Sequence, residues 1–445
     1  MDNKTIYALS TVFGKSGVAI IRISGSEAAK VVSAMTDIKN IRPRYAYFTT
    51  LHHYKTSAVL DKCLLLYFKA PNSFTGEDIV ELQIHGSRAV IESVIDSLAS
   101  IPDFRLAEPG EFSKRAFYNQ KMDLTEAEGL ADLIDAETSE QQKYAIRQME
   151  GSLKNLYDGW RQTLVGLLAH LEAYIDFPDE DIPQNLTENM QNTVFKIVDD
   201  IENHLKDNVA GERLREGYRV VVVGPPNAGK SSLLNTIAKR EAVIVSDIAG
   251  TTRDAVDIHL DLGGYPVIFT DTAGLRETEE LIEQKGIEIA YHKISDADLV
   301  ICLFDASTDS VQQFDNIAKS FKNKMILVAN KSDKLTNEQC SKLQSEGCLV
   351  ISAKQYKSVI SLLQQIEYKI KSSFTSGSNL LITRSRYREA LINVITYLRE
   401  FGFNKEIELT AEDIRLAVRE LGKITGRVEV DEILDKIFGS FCIGK

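Results

Sequence analysis

The sequence predicts a multidomain fold of α+β and α/β class: an α+β N-terminal domain (1–118), a helical domain in two parts (119–216 and 376–445), and between them an inserted doubly wound domain (217–375). Three observations carry this. Short β-type runs broken by Gly, Ser, Asn and Pro fill the N-terminal stretch. Apolar stripes with helical spacing stand on both sides of the middle of the chain. Within the middle, strand-like apolar runs alternate with helical segments, the pattern of a parallel sheet wound by helices.

In the N-terminal region Tyr7 to Leu9, Val18 to Ile23, Cys63 to Phe68 and Ile79 to Ile84 read as strands, with helices near Ser26 to Met35 and Ser87 to Ala99. Gly76-Glu77-Asp78 and Glu108-Pro109-Gly110-Glu111 read either as turns or as ligand loops. Asp123-Leu124-Thr125-Glu126 has capping-box form and opens a long helical region, in which Leu164, Leu167, Leu168, Leu171 and Ile175 form one stripe. Downstream, Ile414, Ala417, Val418 and Leu421, then Ile433, Leu434, Ile437 and Phe438, repeat it. Two half-sets of amphipathic helices around one α/β unit imply an insertion, with Ser372 to Ser378 as the return linker.

The 445 residues, 44% hydrophobic, suffice for several packed cores. No run approaches the roughly 18 apolar residues of a membrane span, and Met1-Asp2-Asn3-Lys4 opens no signal peptide, so a cytoplasmic, membrane-free protein is expected. The five cysteines, Cys63, Cys302, Cys340, Cys348 and Cys442, lack metal-ligand spacing and predict neither a disulfide framework nor a zinc site. A net charge of −12 excludes a broadly basic surface, though not a local basic patch.

The chemistry concentrates in the inserted domain. Gly224 to Ser231 reads Gly-Pro-Pro-Asn-Ala-Gly-Lys-Ser between the run Val220 to Val223 and the helical Ser232-Leu233-Leu234-Asn235. A strand entering such a turn points backbone N–H groups and a helix N-terminus at a polyphosphate, with Lys230 on the terminal phosphates and Ser231 on Mg²⁺. Asp271-Thr272-Ala273-Gly274 follows a strand-like run, which suits a Mg²⁺-associated carboxylate and a glycine beside the γ-phosphate. Asn330-Lys331-Ser332-Asp333 follows another, so that Asp333 can accept guanine N1–H and the exocyclic amine; Ser352-Ala353-Lys354 can support the base. Together these select GTP in a Ras-like P-loop G domain. The first switch falls at Ser246-Asp247-Ile248-Ala249-Gly250-Thr251-Thr252-Arg253-Asp254, with Thr252 the second hydroxyl on Mg²⁺ and Arg253 a catalytic candidate. Leu275 stands where signalling GTPases place a water-orienting glutamine, so the substitute is sought among Glu277, Glu279, Glu280 and Glu283.

Ala8 to Thr11, Gly17 to Gly25, Phe74-Thr75-Gly76-Glu77-Asp78, Pro109 to Ser113, the inserted G domain and the terminal Cys442-Ile443-Gly444-Lys445 together closely resemble the MnmE (TrmE) family of tRNA modification GTPases. The likeness spans essentially the whole chain. It implies a homodimer that acts on tRNA with an FAD-dependent partner of MnmG type, in a heterotetramer or larger complex, to build an aminomethyl-type substituent on carbon 5 of the wobble uridine. The one-carbon unit comes from a tetrahydrofolate derivative, 5-formyl or 5,10-methylene, bound by the N-terminal domain, with Arg22, Glu81 and Lys121 at the matching positions and Lys445 close by. The resemblance further implies K⁺ in place of an arginine finger, held by the side chains of Asn227 and Ser246 and the carbonyls of Ile248 and Thr251. Glu283 then matches the family's water-positioning glutamate, and G-domain dimerisation orders the first switch. Cys442 acts either in thiol chemistry or in shaping the folate site. The rival reading is a GTP-gated RNA-binding or ribosome-assembly factor, for which no basic appendage is seen around the G domain.

Overall fold

The structure, a computed structural model, describes residues 4–176, 184–206, 208–240, 257–271, 296–311, 324–374, 382–428, 431–439, 441 and 443–444. The chain divides into two compact units: Met1–Ala131 with Gln148–Val165 and Val418–Lys445, and Asp132–Arg147 with Gly166–Ala417.

The first unit holds strands β1 (Thr5–Leu9), β2 (Ser16–Ser24), β3 (Tyr47–His52), β4 (Val59–Phe68), β5 (Ile79–Gly86) and β6 (Phe104–Leu106) in one sheet, ordered β3-β4-β5-β2-β1-β6. Neighbours are antiparallel except β1 and β6, which run parallel. Alternation along each strand sends Tyr7, Ile21, Ile23, Leu65 and Leu82 to one face, where helix α2 (Arg88–Ala99) contributes Ile91, Val94 and Leu98 and helix α1 (Lys30–Met35) contributes Val32. On β1, Ile6 and Ala8 have the opposite parity and pack with Ala107 and with Phe112 of helix α3 (Glu111–Tyr118). The four strands expected from sequence are present; β3 and β6 are additional, and the first helix starts at Lys30 rather than near Ser26 because the chain turns through Gly25 to Lys30 first.

Helix α4 (Leu124–Ile134) opens on the expected capping box: Asp123 Oδ1 accepts from Glu126 N at 2.8 Å, and Glu126 Oε2 accepts from Asp123 N at 2.6 Å. The long helical region is interrupted before α5 (Ser139–Met149) and again at Gly151, whose φ of 81° ends one helix and lets α6 (Ser152–Asp176) begin. Next come α7 (Gln184–Lys206) and α8 (Asn208–Glu216). After the inserted domain follow α12 (Ser385–Glu400), α13 (Ile407–Thr425) and α14 (Asp431–Gly439). Helix α12 buries Tyr387, Leu391, Val394 and Leu398, α7 buries Met190, Val194, Ile197 and Ile201, and Arg399 meets Glu202 across the pair at 2.5 Å. No helix among the described residues is long and apolar enough to cross a membrane.

Within the second unit, β7 (Tyr218–Val223), β8 (Asp257–Leu262), β9 (Tyr265–Asp271), β10 (Leu299–Asp305), β11 (Met325–Asn330) and β12 (Leu349–Val350) form a sheet ordered β12-β11-β10-β7-β9-β8. It is parallel apart from the edge pair β8/β9, and α9 (Lys230–Arg240) and α11 (Tyr356–Phe374) lie on it, with α10 (Asn337–Ser345) beside β12. Central strands β7 and β10 are apolar almost throughout, as both faces are covered.

Candidate nucleotide cleft and N-terminal site

The C-terminal ends of β7 and β11 and the loop after β12 meet at one edge of the parallel sheet, where such sheets bind ligands. Gly224 leaves β7 with φ 154°, and a Cβ there would lie 1.9 Å from the Leu303 carbonyl oxygen, so only glycine lets the chain turn. Asn227 follows at φ 65° and Gly229 at φ 101° before α9 begins at Lys230. Backbone N–H groups at this helix start form an anion site. Lys230 curls over its own loop, its Nζ donating to the carbonyls of Gly224 at 2.7 Å and Pro225 at 3.0 Å.

One buried amide joins the loops. Asn330, 2% exposed, donates from Nδ2 to the Ala228 carbonyl at 2.6 Å and accepts at Oδ1 from Ala353 N at 2.9 Å. Thr236 of α9 also donates to the Ala353 carbonyl, at 2.7 Å. Asp333 Oδ1 accepts from the Ser352 hydroxyl at 2.6 Å, and that bond holds its carboxyl below the usual carboxylate range. The result is a cleft of about 560 Å³ between Asn227, Lys230 and Ser231 at one end and Lys331, Asp333 and Ala353 at the other, with Gly229, Ser232, Ser352 and Lys354 also in its wall. That volume suits a small-molecule ligand, with N–H donors at one end and an aimed carboxylate at the other. Ser231 in the first turn of α9 lines the cleft at the anion end, and Asp271 is the last residue of β9, its backbone opposite Val222. A serine hydroxyl at that position fits Mg²⁺ beside phosphate.

Ser246, Asp247, Ile248, Ala249, Gly250, Thr251, Thr252 and Arg253 lie outside the described residues, as do Thr272, Ala273, Gly274, Leu275, Glu277, Glu279, Glu280 and Glu283, and so do Cys442 and Lys445. Of the residues expected to hold K⁺, Asn227 alone is among the described residues.

In the N-terminal unit Arg22 of β2 and Glu81 of β5 are direct partners in register, Nε to Oε1 3.0 Å apart. The Arg22 guanidinium also stands 5.4 Å from the Phe74 ring centre and 5.8 Å from that of Phe112, a cation between two aromatic groups. The Lys121 stem lies against Gly76, whose φ is 79°. The two loops left open between turn and ligand loop are held by a largely buried polar network. Ser24 contacts Thr75 and donates to Glu77, whose carboxylate takes both of its 3.1 Å bonds from Arg115. Arg115 also bonds Glu111 at 3.0 Å, and Arg105 grips Glu111 through two nitrogens at 2.7 and 2.6 Å. Burial raises the Glu111 carboxyl's pKa, but hydrogen bonds from Arg105, the Glu108 N–H and Arg115 outweigh it and hold the group low. Phe74, Glu77, Glu111 and Phe112 fall within the blocks that carry the family resemblance, but no sequence signal assigned them a role, and Arg105 and Arg115 lie outside those blocks.

The tail reaches the same unit: Ile443 bridges Pro109, and the Gly444 carbonyl accepts from the Ser10 hydroxyl at 3.0 Å. Burial pushes the thiols of Cys63 and Cys302 up to about 12 and that of Cys348 to about 11, so these three stay protonated at neutral pH.

Comparison with known proteins covers both units. The model described as GTP-binding protein TrmE N-terminus matches residues 5–121, and the one described as MnmE helical domain matches 124–442. A protein of Rickettsia bellii named tRNA modification GTPase MnmE is 44% identical over 99% of this chain and 100% of its own length. A protein of Paramagnetospirillum magneticum with the same name is 45% identical, with all of both chains covered.

Proposed function

The chain belongs to the MnmE (TrmE) family of tRNA modification GTPases, and from that premise we propose that it hydrolyses GTP in the modification of carbon 5 of the wobble uridine of tRNA, adding an aminomethyl or carboxymethylaminomethyl group. Residues 1–118 serve as the dimerisation and tetrahydrofolate domain, 217–375 as the G domain, and 119–216 with 376–445 as the helical domain. An FAD-dependent partner of MnmG type carries the redox chemistry.

The observation that carries the GTPase reading is the Asn330 amide, which locks the phosphate-facing loop to the base-facing loop. In the cleft Asp333, fixed by Ser352, accepts the guanine N1–H and exocyclic amine, while the Ala353 N–H and Lys354 border the base. The N–H groups from Asn227 to Ser231 take the phosphate oxygens, and Lys230 exchanges the Gly224 and Pro225 carbonyls for them. Mg²⁺ at Ser231 and Thr252, and K⁺ at Asn227, Ser246, Ile248 and Thr251, would supply positive charge where negative charge grows in the transition state. Glu283 orients the attacking water through a second water, and Arg253 is a further catalytic candidate. In the N-terminal domain Glu81 accepts pterin N–H groups, while Arg22, Lys121 and Lys445 face the folate carboxylates. Cys442 either supplies a thiol or shapes that site.

Mass spectrometry of tRNA from a deletion strain complemented with the wild-type gene or with Lys230→Ala tests this. The wobble substituent returns with the first and not with the second. Fully modified tRNA in the deletion strain, together with stalled ribosomal subunits, would move the protein to the ribosome-assembly class.

A further inference from the structure

Strand β10 ends on Asp305, whose backbone lies opposite Asn330 at the end of β11, one residue before Lys331. Lys331 takes a left-handed backbone, φ 64°, and caps the single 3-10 turn Ser332–Lys334 that presents Asp333. Its Nζ lies 2.6 Å from Asp305 Oδ2. The other carboxylate oxygen of Asp305 accepts from the Ser307 N–H at 3.0 Å and from the Ser307 hydroxyl at 2.6 Å. The turn beneath is closed as well: Thr308 N and Asp309 N both donate to the Asp305 carbonyl, and Ala306 N donates to the Asn330 carbonyl at 3.1 Å. Burial raises the Asp305 carboxyl's pKa, and the Lys331 and Ser307 bonds override it, bringing it down to about 2.

From this arrangement we infer that Asp305 is a positioning residue for guanine-nucleotide binding, acting through Lys331; the inference rests on the nucleotide reading above. Lys331 lines the cleft and Asp305 does not. An ammonium anchored on Asp305 points away from the base and leaves the four-carbon stem as a fixed apolar wall beside it. The same anchor steadies the left-handed residue from which the turn carrying Asp333 begins. Asp305 thus contributes to binding of the base and nothing to the phosphate end, where hydrolysis takes place.

Steady-state hydrolysis and GDP titration of the full chain test it. Asp305→Ala raises KM for GTP and Kd for GDP about tenfold, the scale of a lost charge-assisted hydrogen bond, with kcat retained. Asp305→Asn keeps an acceptor for Lys331 and recovers most of the affinity. Asp305→Ala added to Lys331→Ala causes no further loss, because the effect passes through that lysine. An unchanged KM in a folded Asp305→Ala protein that hydrolyses GTP overturns this inference alone. So does an equal fall in thermal stability for both Asp305 variants with nucleotide affinity intact, the mark of a purely structural turn. Failure of the wild-type chain to bind guanine nucleotides overturns the nucleotide reading and this inference with it.

Discussion

At the scale of single residues, Asn330 and Asn227 carry different loads. Replacing Asn330 by Ala leaves the buried Ala228 carbonyl and Ala353 N–H without their partner, each at a cost of about 1–3 kcal/mol. Asn330→Ala should therefore lower both the melting temperature and GDP affinity in calorimetry; loss of neither would mean the loops hold each other by other means. Asn227 sits at φ 65°, a conformation Gly adopts without strain, so Asn227→Gly deletes the amide oxygen while sparing the turn. If that oxygen is a K⁺ ligand, wild-type hydrolysis runs faster in K⁺ than in Na⁺ and the variant runs at the Na⁺ rate in both, with GDP affinity kept. A variant that retained the K⁺ advantage would remove Asn227 from the cation site. The residues of this cleft were legible because each motif fixes residue type and spacing around a strand end. Asp305 was not: a carboxylate closing a strand is common, and only the fold brings it to Lys331.

At the scale of elements, the cap of α4 couples folding to pH. Asp123 accepts the Glu126 N–H and the Thr125 hydroxyl through Oδ1, while its buried Oδ2 has no hydrogen-bond partner among the described residues. Burial lifts its carboxyl to about 6 from an ordinary 3.8, against the lowering by those bonds. The folded chain then holds this proton more tightly than the unfolded chain, so stability falls as pH rises from about 4 to about 6. The loss above that window is on the order of 3 kcal/mol. Asp123→Asn keeps a capping oxygen without the charge. Thermal melts should show it more stable than the parent at pH 7, with the gap closing near pH 4; a gap independent of pH would exclude titration of Asp123. This capping box was readable from four consecutive residues. Strand β3 was not, because Tyr47–His52 lies half exposed near the sheet's rim and alternates weakly, and β6 has only three residues. Local pattern reports an element when burial is one-sided and the element is long enough to repeat.

At the scale of the whole chain, the inserted domain is more than a bead on two linkers. The β8–β9 hairpin turns at Gly263 and Gly264, with φ 61° and 94°, and the Gly264 carbonyl accepts from Glu140 N at the start of α5 at 3.1 Å. Tyr265 stacks on Phe374 with ring centres 4.7 Å apart, and Tyr144 and Leu214 from the preceding helices pack with them. That hairpin follows the segment read as the first switch and ends on Asp271, and its turn sits against helices outside the G domain. An excised 217–375 segment keeps its own sheet, helices and cleft, and should bind GDP with the affinity of the full chain. It loses Tyr144, Leu214 and the Glu140 bond, and exposes Tyr265 and Phe374. Burial of side chains of this size stabilises by about 1.5–3 kcal/mol each, so the segment should melt well below the domain within the full chain. Tyr265→Ala in the full chain should reproduce much of that loss, whereas in the excised segment it should cost far less, since the packing partners are already gone. Equal losses in the two contexts, read by differential scanning calorimetry, would show that the helices leave the hairpin's stability unchanged.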